Sequence, residues 1–167
     1  MRNWMAPLAV LVLLASGVRA EDKDPWKEMF PEGLHDAAGN AVDPATLKGK
    51  IVGLYFSAHW CPPCKVFTPM LVKFRDENQK DFEVVFVSSD KTADAQKEYM
   101  TETKMQWPTL KWRGNVANGL AKTHEIRGIP ALVILGPDGK VLSKNGRGDV
   151  TSDAAGAIAK WKAAAGQ

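Results

Sequence analysis

A pair of cysteines at the end of an apolar run constrains the fold more than any other feature of this chain of 167 residues. The apolar run covers residues 51–56 and is typical of a strand that is buried on both faces. The segment Trp60-Cys61-Pro62-Pro63-Cys64-Lys65 follows almost directly, and apolar residues then recur at helical spacing from Val66 to Gln79. The pattern predicts a buried strand that leads through the cysteine pair into a helix starting near Cys61.

Strands and helices alternate along the rest of the chain. The predicted elements are a hairpin over residues 34–42, strands over 51–56, 82–88, 131–135 and 141–143, and helices over 66–79, 92–103 and 116–123, with a last helix that Ser152 or Asp153 caps and that runs through Ala165. Residues 21–33 carry prolines and charges, and we expect an extended lead-in there. This order predicts one α/β domain of three layers over residues 34–167.

The first twenty residues have the pattern of a secretory signal peptide. Arg2 supplies a positive charge, residues 5–18 are apolar, and Val18-Arg19-Ala20 places short side chains at the two positions that a signal peptidase inspects. The apolar run is shorter than the ~20 residues that a membrane-spanning helix needs, which favours cleavage near Ala20 over a retained anchor. We therefore expect an exported protein, either periplasmic or secreted.

The charge balance argues against a nucleic-acid-binding protein. Without Arg2 and Arg19 of the predicted signal peptide, the chain carries 20 basic and 19 acidic residues. No basic excess remains that would attract nucleic acid or an anionic membrane.

The spacing of the cysteines suits thiol–disulfide exchange. This chemistry needs an exposed thiolate and a second thiol that is close enough to resolve the mixed disulfide. A position at a helix N-terminus would lower the pKa of Cys61 from about 8.5 to roughly 3.5–7.5, while Cys64 would lie one turn deeper on the same face. Pro62 and Pro63 are tolerated in a first helical turn and stiffen the loop. The pattern predicts Cys61 as the attacking residue and Cys64 as the resolving residue.

Other uses of the two cysteines have less support. A disulfide that encloses only two residues removes little chain entropy, so it would be a poor structural crosslink. A zinc site would need two more ligands, yet the chain has no further cysteine and its three histidines lack the usual zinc-ligand spacing. A copper site built from His59, Cys61 and Cys64 stays open, because soft thiolates suit Cu(I). We expect no bound cofactor and assign no metal ligand.

A proline before the third buried strand is the second predicted part of the site. Gly128-Ile129-Pro130-Ala131 leads into residues 131–135, and proline is tolerated at the first position of a strand. We predict a cis bond between Ile129 and Pro130. The alternative is an ordinary trans proline at the strand entry.

These segments together resemble the tryparedoxin and nucleoredoxin branch of the thioredoxin superfamily. The resemblance covers roughly residues 34–145 and is carried by the block 52–69 around the cysteines, by Phe86-Val87-Ser88-Ser89-Asp90 and by Gly128-Ile129-Pro130. It implies a thioredoxin fold of α/β/α layers with a central mixed sheet and an N-terminal hairpin extension. It also implies that the Ile129–Pro130 bond faces the cysteines, and that Trp60 covers the disulfide and helps to dock the substrate.

The chain departs from the family pattern in three places. Tyr55 stands where classical thioredoxins carry a buried aspartate, and tryparedoxin-like proteins also have Tyr or a similar residue there. We therefore name Asp90 as the acid that would assist Cys64; its alternative role is a helix cap. Tryparedoxins and nucleoredoxins are usually intracellular, whereas this chain begins with an export pattern. The segment 106–109, with Trp107, follows the family loop only loosely, and Trp107 and Trp112 could line the site or pack in the core.

We therefore expect a monomeric thiol–disulfide oxidoreductase that exchanges disulfides with protein substrates outside the cytoplasm. By family analogy alone the expected direction is reduction. A reductase outside the cytoplasm also requires an electron donor, for which a membrane protein is the natural candidate. Two alternatives stay open at this point, namely a copper-binding protein or metallochaperone on the same fold and a protein-binding module without catalysis.

Overall fold

The computed structural model describes residues 24–167, in which helices cover both faces of a four-stranded sheet. The strands are β1 (Leu34–His35), β2 (Ala41–Val42), β3 (Ile51–Ser57), β4 (Phe82–Ser88), β5 (Ala131–Leu135) and β6 (Val141–Ser143). The helices are α1 (Pro25–Met29), α2 (Pro62–Glu77), α3 (Ala93–Glu102), α4 (Asn115–Thr123), α5 (Gly146–Ser152) and α6 (Ala154–Ala164), with a 3₁₀ helix over Pro44–Leu47. The predicted signal peptide, residues 1–20, lies outside the described residues.

The central sheet is mixed, as predicted. Its strand order is β4-β3-β5-β6, in which β3 pairs in parallel with β4 and antiparallel with β5, and β5 pairs antiparallel with β6. The predicted N-terminal hairpin is also confirmed, because β1 and β2 form a separate antiparallel pair. Single bridges through Thr109 connect this hairpin to the edge strand β4.

Strand β3 is buried on both faces because its side chains alternate between two hydrophobic cores. Ile51 and Tyr55 enter the core that contains residues of α2, α3, α5 and α6. Val52, Leu54 and Phe56 enter the opposite core, which contains residues of α1, β1 and α4. The three predicted layers are therefore present. Among residues 24–167, no helix is both long and apolar enough to span a membrane.

The prediction of an extended lead-in over residues 21–33 is wrong where the chain forms helix α1, over Pro25–Met29. The Asp24 carboxylate accepts a hydrogen bond of 3.0 Å from the backbone N–H of Trp26, and Pro25 occupies the first helical position, where its missing N–H costs nothing. Trp26 and Phe30 stack at 6.2 Å between ring centroids and are buried in the second core. The domain therefore begins before the predicted boundary at residue 34.

Two further details of the helices differ from the predictions. Thr92, rather than a residue at position 89 or 90, caps α3 by accepting a bond of 3.1 Å from Ala95 N–H. Helix α5 was not predicted, because its glycines are poor helix formers. Gly146 is required there by close packing: a Cβ at this position would lie 2.7 Å from Ile134 Cδ1.

Candidate active site

The two cysteines form a disulfide at the point where β3 gives way to α2. Strand β3 ends at Ser57, and a tight turn closed by the bond from Cys61 N–H to Ala58 C=O leads to the helix. Cys61 is the N-cap residue of α2 and Cys64 lies in its first turn. The two Cα atoms are 5.2 Å apart, within the range that a disulfide requires. The predicted junction of strand, cysteine pair and helix is confirmed.

Cys61 and Cys64 differ in exposure in the predicted order, but both are well shielded in the disulfide form. Cys61 is 3% exposed and Cys64 is fully buried. The exposed surface of the turn is supplied instead by Trp60, which is 55% exposed, and by Pro62 and Pro63. An incoming group therefore reaches the disulfide only from the Cys61 side.

The bond between Ile129 and Pro130 is cis, as predicted, and it lies against the disulfide. The carbonyl oxygen of Ile129 is 3.8 Å from the Sγ atom of Cys61. Ile129 also packs against the small cluster formed by Ala58 and the two cysteines, while Pro130 is buried. The structure thus brings together the two predicted halves of the site, which are 68 positions apart in the chain.

Asp90 braces the turn in front of the cysteines. It is 2% exposed, and its carboxylate accepts hydrogen bonds of 2.7 Å from the backbone N–H of His59 and 2.8 Å from the hydroxyl of Ser88. The indole N–H of Trp112 donates to the backbone carbonyl of Asp90 at 2.9 Å. Asp90 is therefore not the predicted helix cap, and its assistance to Cys64 stays a prediction.

The imidazole of His59 is engaged on the side of α3. Its Nε2 atom lies 2.9 Å from a carboxylate oxygen of Glu102, and its ring stacks on Tyr99 at 5.3 Å between centroids. Within residues 24–167, no group of three or more His, Cys, Asp or Glu side chains is arranged to hold a metal ion. Nothing in this arrangement favours the copper alternative.

A network of buried hydroxyl groups underlies Cys64, and the sequence did not predict it. Thr68, one turn after Cys64 on α2, donates to the carbonyl oxygen of Cys64 at 2.9 Å and lies 2.8 Å from the hydroxyl of Tyr55. The hydroxyl of Tyr99 contacts Thr68 and, at 3.2 Å, Ser57. Burial, and then the neighbouring Tyr99, raises the pKa of Tyr55 far above its usual value, so this phenol stays neutral.

The two tryptophans of the loop after α3 have different positions. Trp107 is 1% exposed and packs edge-on against Tyr55 at 6.4 Å between ring centroids, so it belongs to the core. Trp112 is half-buried, holds the backbone of Asp90, and is covered by the guanidinium of Arg113 at 4.8 Å from its ring centroid. Within residues 24–167, no ring contact or hydrogen bond joins either tryptophan to the disulfide.

An open groove of about 310 Å³ lies beside the disulfide, and we call it the disulfide groove. Trp60 and Ile129 line it on the side of the cysteines, and Ser88, Ser89, Ala117 and Arg127 are among the residues that line the rest. The groove runs between the carboxyl ends of β3 and β4, helix α4, and the loop that precedes β5. The sequence did not predict it, because these residues come from four separate segments.

Comparison with known proteins agrees with this geometry. Residues 49–141 match the family described as thioredoxin-like. Nucleoredoxin from Bos taurus is 37% identical over 134 residues, which is 77% of this chain, and nucleoredoxin from Xenopus laevis is 40% identical over the same length. The chain spans only about a third of the length of these relatives, 30% and 32% respectively.

Solved structures with the same fold include a tryparedoxin from Trypanosoma brucei. It has a TM-score of 0.73 and 34% identity, with 82% of this chain and 97% of that chain covered. Thioredoxin from Wuchereria bancrofti has a TM-score of 0.68 and 39% identity, with 78% and 94% covered. The matched region contains the disulfide at the start of α2 and the cis proline that faces it. This chain therefore belongs to the thioredoxin-like family, in its tryparedoxin and nucleoredoxin branch, and its Cys61–Cys64 pair fits a redox-active dithiol.

Proposed function

We propose that this protein reduces disulfides in protein substrates through the Cys61–Cys64 pair. The observation that carries the proposal is the position of this pair at the N-terminus of α2, with the Ile129 carbonyl 3.8 Å from Cys61 Sγ. A structural crosslink would gain little from a ring that encloses two residues. A redox pair, by contrast, needs its two sulfurs close together and one of them accessible.

The reaction proceeds in two exchange steps. The Cys61 thiolate attacks one sulfur of the substrate disulfide, a mixed disulfide forms, and the other substrate sulfur leaves as a thiolate. Cys64 then loses its proton and attacks Cys61 Sγ, which releases the second substrate thiolate and forms the Cys61–Cys64 disulfide. Two electrons pass from the dithiol to the substrate, and an external dithiol must reduce the protein again.

The start of α2 supports the assignment of Cys61 as the nucleophile. As the N-cap residue, Cys61 lies at the positive end of a helix of 16 residues, where unpaired N–H groups favour a thiolate. Cys64 is fully buried beneath it and so cannot be reached by a protein substrate before Cys61. This order of events makes Cys64 the resolving residue.

The loop before Pro130 supports a polypeptide as the substrate. Ile126 N–H bonds to Ala121 C=O, and strand pairing resumes with Ala131 opposite Phe56. Within the part of the chain that the structure describes, the backbone groups of residues 127–129 have no backbone hydrogen-bond partner. An extended substrate chain can pair with these groups while its cysteine faces Cys61, as in strand addition to a sheet edge.

The direction, place and partners of the reaction belong to the same proposal. The relatives are named thioredoxin, tryparedoxin and nucleoredoxin, and we place this chain with them as a monomeric reductase. The pattern of residues 1–20 supports export, with a mature chain that begins at Glu21 outside the cytoplasm. There, a membrane protein with its own dithiol would supply the electrons. N-terminal sequencing of the exported protein tests the cleavage site.

A pair of cysteine variants tests the proposed activity. The reduced wild-type protein should reduce a disulfide-containing protein such as insulin in the presence of a dithiol reductant, and Cys61→Ser should abolish the reaction. Cys64→Ser should instead accumulate a mixed disulfide between Cys61 and the substrate, because attack survives and resolution does not. A wild-type protein that reduces no protein disulfide would leave the binding module as the better account. Trapping by Cys61→Ser rather than Cys64→Ser would reverse the two roles.

A further inference from the structure

Arg127 is the one charged side chain that lines the disulfide groove in the described part of the chain. The other lining residues are apolar or carry uncharged polar groups, and they include Trp60, Ser89, Asn118 and Ile129. Arg127 is exposed and forms no ion pair with any residue between positions 24 and 167. Its charge is therefore available to a molecule that enters the groove.

The acidic residues closest to Arg127 in the chain or at the groove are already occupied. Glu125, two positions earlier, pairs with Lys144 at 3.2 Å. Asp90, which follows the groove residue Ser89 in the chain, is 2% exposed, and its two carboxylate oxygens accept hydrogen bonds from His59 N–H and from the Ser88 hydroxyl. The groove therefore presents an uncompensated positive charge, which attracts anionic groups.

Arg127 lies close in the chain to the residue that contacts the reacting sulfur, Cys61 Sγ. It precedes by two residues Ile129, whose carbonyl oxygen is 3.8 Å from Cys61 Sγ. Two residues span at most about 7 Å, and a substrate chain that pairs with this loop advances by about 3.3 Å per residue. A side chain two or three residues from the substrate cysteine would therefore lie within reach of the guanidinium group.

We propose that Arg127 makes the protein selective for polypeptide disulfides in which an Asp or Glu side chain lies two or three residues from the reacting cysteine. The inference rests on the proposed function, since it concerns the substrate of the same site. Arg127 takes no part in the electron transfer. It acts by holding a carboxylate, for which the planar guanidinium is well suited, while the substrate backbone pairs with residues 127–129.

Three disulfide-linked peptide homodimers test this selectivity. They share one sequence and differ only in the residue two positions from the cysteine, which is Asp, Asn or Lys. At low salt, kcat/KM of the wild-type protein should be about threefold higher for the Asp peptide than for the Asn peptide, the size expected of an exposed ion pair, and lowest for the Lys peptide. In 0.5 M NaCl the Debye length falls below about 5 Å, and the difference should disappear.

Charge-changing variants then assign the effect to one residue. Arg127→Gln should remove the preference, and Arg127→Glu should reverse it in favour of the Lys peptide. The matched controls are Lys122→Gln and Lys122→Glu, which change the same charge on an exposed residue of α4 that does not line the groove. These controls should keep the wild-type order of the three peptides.

The outcomes separate this inference from the function on which it rests. Equal rates for the three peptides at low salt, or an unchanged preference in Arg127→Gln, would overturn the role of Arg127 while reduction of the Asn peptide still supported the proposed function. An equal loss of preference in Lys122→Gln would show general electrostatic attraction, and would also overturn it. A protein that reduces none of the peptides would contradict the proposed function and the inference together.

Discussion

Replacement of Thr68 by valine tests the hydroxyl network that supports the helix of the cysteines. The Thr68 hydroxyl lies 2.8 Å from Tyr55 Oη and 2.9 Å from the carbonyl oxygen of Cys64, and it also contacts Tyr99. Valine has nearly the same shape but cannot form a hydrogen bond. Because Tyr55 is fully buried, the loss leaves its hydroxyl without this partner, at a cost of about 1–3 kcal/mol in the free energy of unfolding.

The matched variant Tyr55→Phe separates the hydrogen bond from general packing. It removes the other partner of the same bond, so that Thr68 keeps its bond to the Cys64 carbonyl and the cost falls to about 0.5–1.5 kcal/mol. In the double variant no Tyr55 hydroxyl remains to be left unpaired, so the total cost should be smaller than the sum of the single costs. Urea denaturation of the oxidised proteins measures all four free energies. Additivity within about 0.5 kcal/mol would refute the coupling.

Three further predictions concern Asp90 near the cysteines and Gly146 and Asp149 of helix α5. Asp90→Ala should lower the free energy of unfolding by about 1–3 kcal/mol, because two partly buried donors lose their acceptor. Asp90→Asn, which retains one acceptor oxygen, should cost less in urea denaturation. Gly146→Ala should destabilise the fold by about 1–3 kcal/mol, because its Cβ has no room. The control Gly119→Ala, with open space around it, should be neutral or stabilising. Equal effects of the two variants in thermal unfolding would contradict this packing. Burial raises the pKa of Asp149, but hydrogen bonds led by that from Lys160 outweigh it, so the pKa lies below its usual value and the carboxylate stabilises the fold at neutral pH. The stability advantage of wild type over Asp149→Asn should therefore be present at pH 7 and shrink as the pH falls below about 3.9, which unfolding measured across pH would reveal.

The sequence predicted those parts of the fold that depend on local periodicity. The strands β4 and β5 were predicted at their observed bounds because apolar runs flanked by turn residues leave little choice, and β6 because it follows the turn at residues 137–140. Helix α1 was missed because the segment 21–33, with two prolines and several charges, has no helical pattern of its own. Its stability comes from the burial of Trp26 and Phe30, which is a tertiary effect.

In the candidate site, too, some residues could be predicted from the sequence and others could not. Cys61, Cys64 and Pro130 were predictable because their spacing and strand context are visible in the chain. Thr68 lies four positions after Cys64, so the helical period alone could have placed it beneath the cysteine. The roles of Tyr99 and Arg127 could not be predicted, since the contact of Tyr99 with Thr68 and the place of Arg127 in the groove depend on how α3 and the loop before β5 meet the sheet. The role predicted for Asp90, assistance to Cys64, stays a prediction, and its bond to His59 N–H is a contact that its sequence position does not reveal.

The equilibrium reduction potential of the Cys61–Cys64 pair tests the central claim most directly. The purified protein would be equilibrated in defined ratios of reduced and oxidised glutathione, and of reduced and oxidised dithiothreitol for more negative potentials. It would then be quenched with an alkylating agent, and the reduced fraction read by mass spectrometry. We predict one two-electron transition between about −270 and −120 mV, the range of known redox-active pairs, and its loss in Cys61→Ser. A potential below about −300 mV, typical of structural disulfides, would contradict the account.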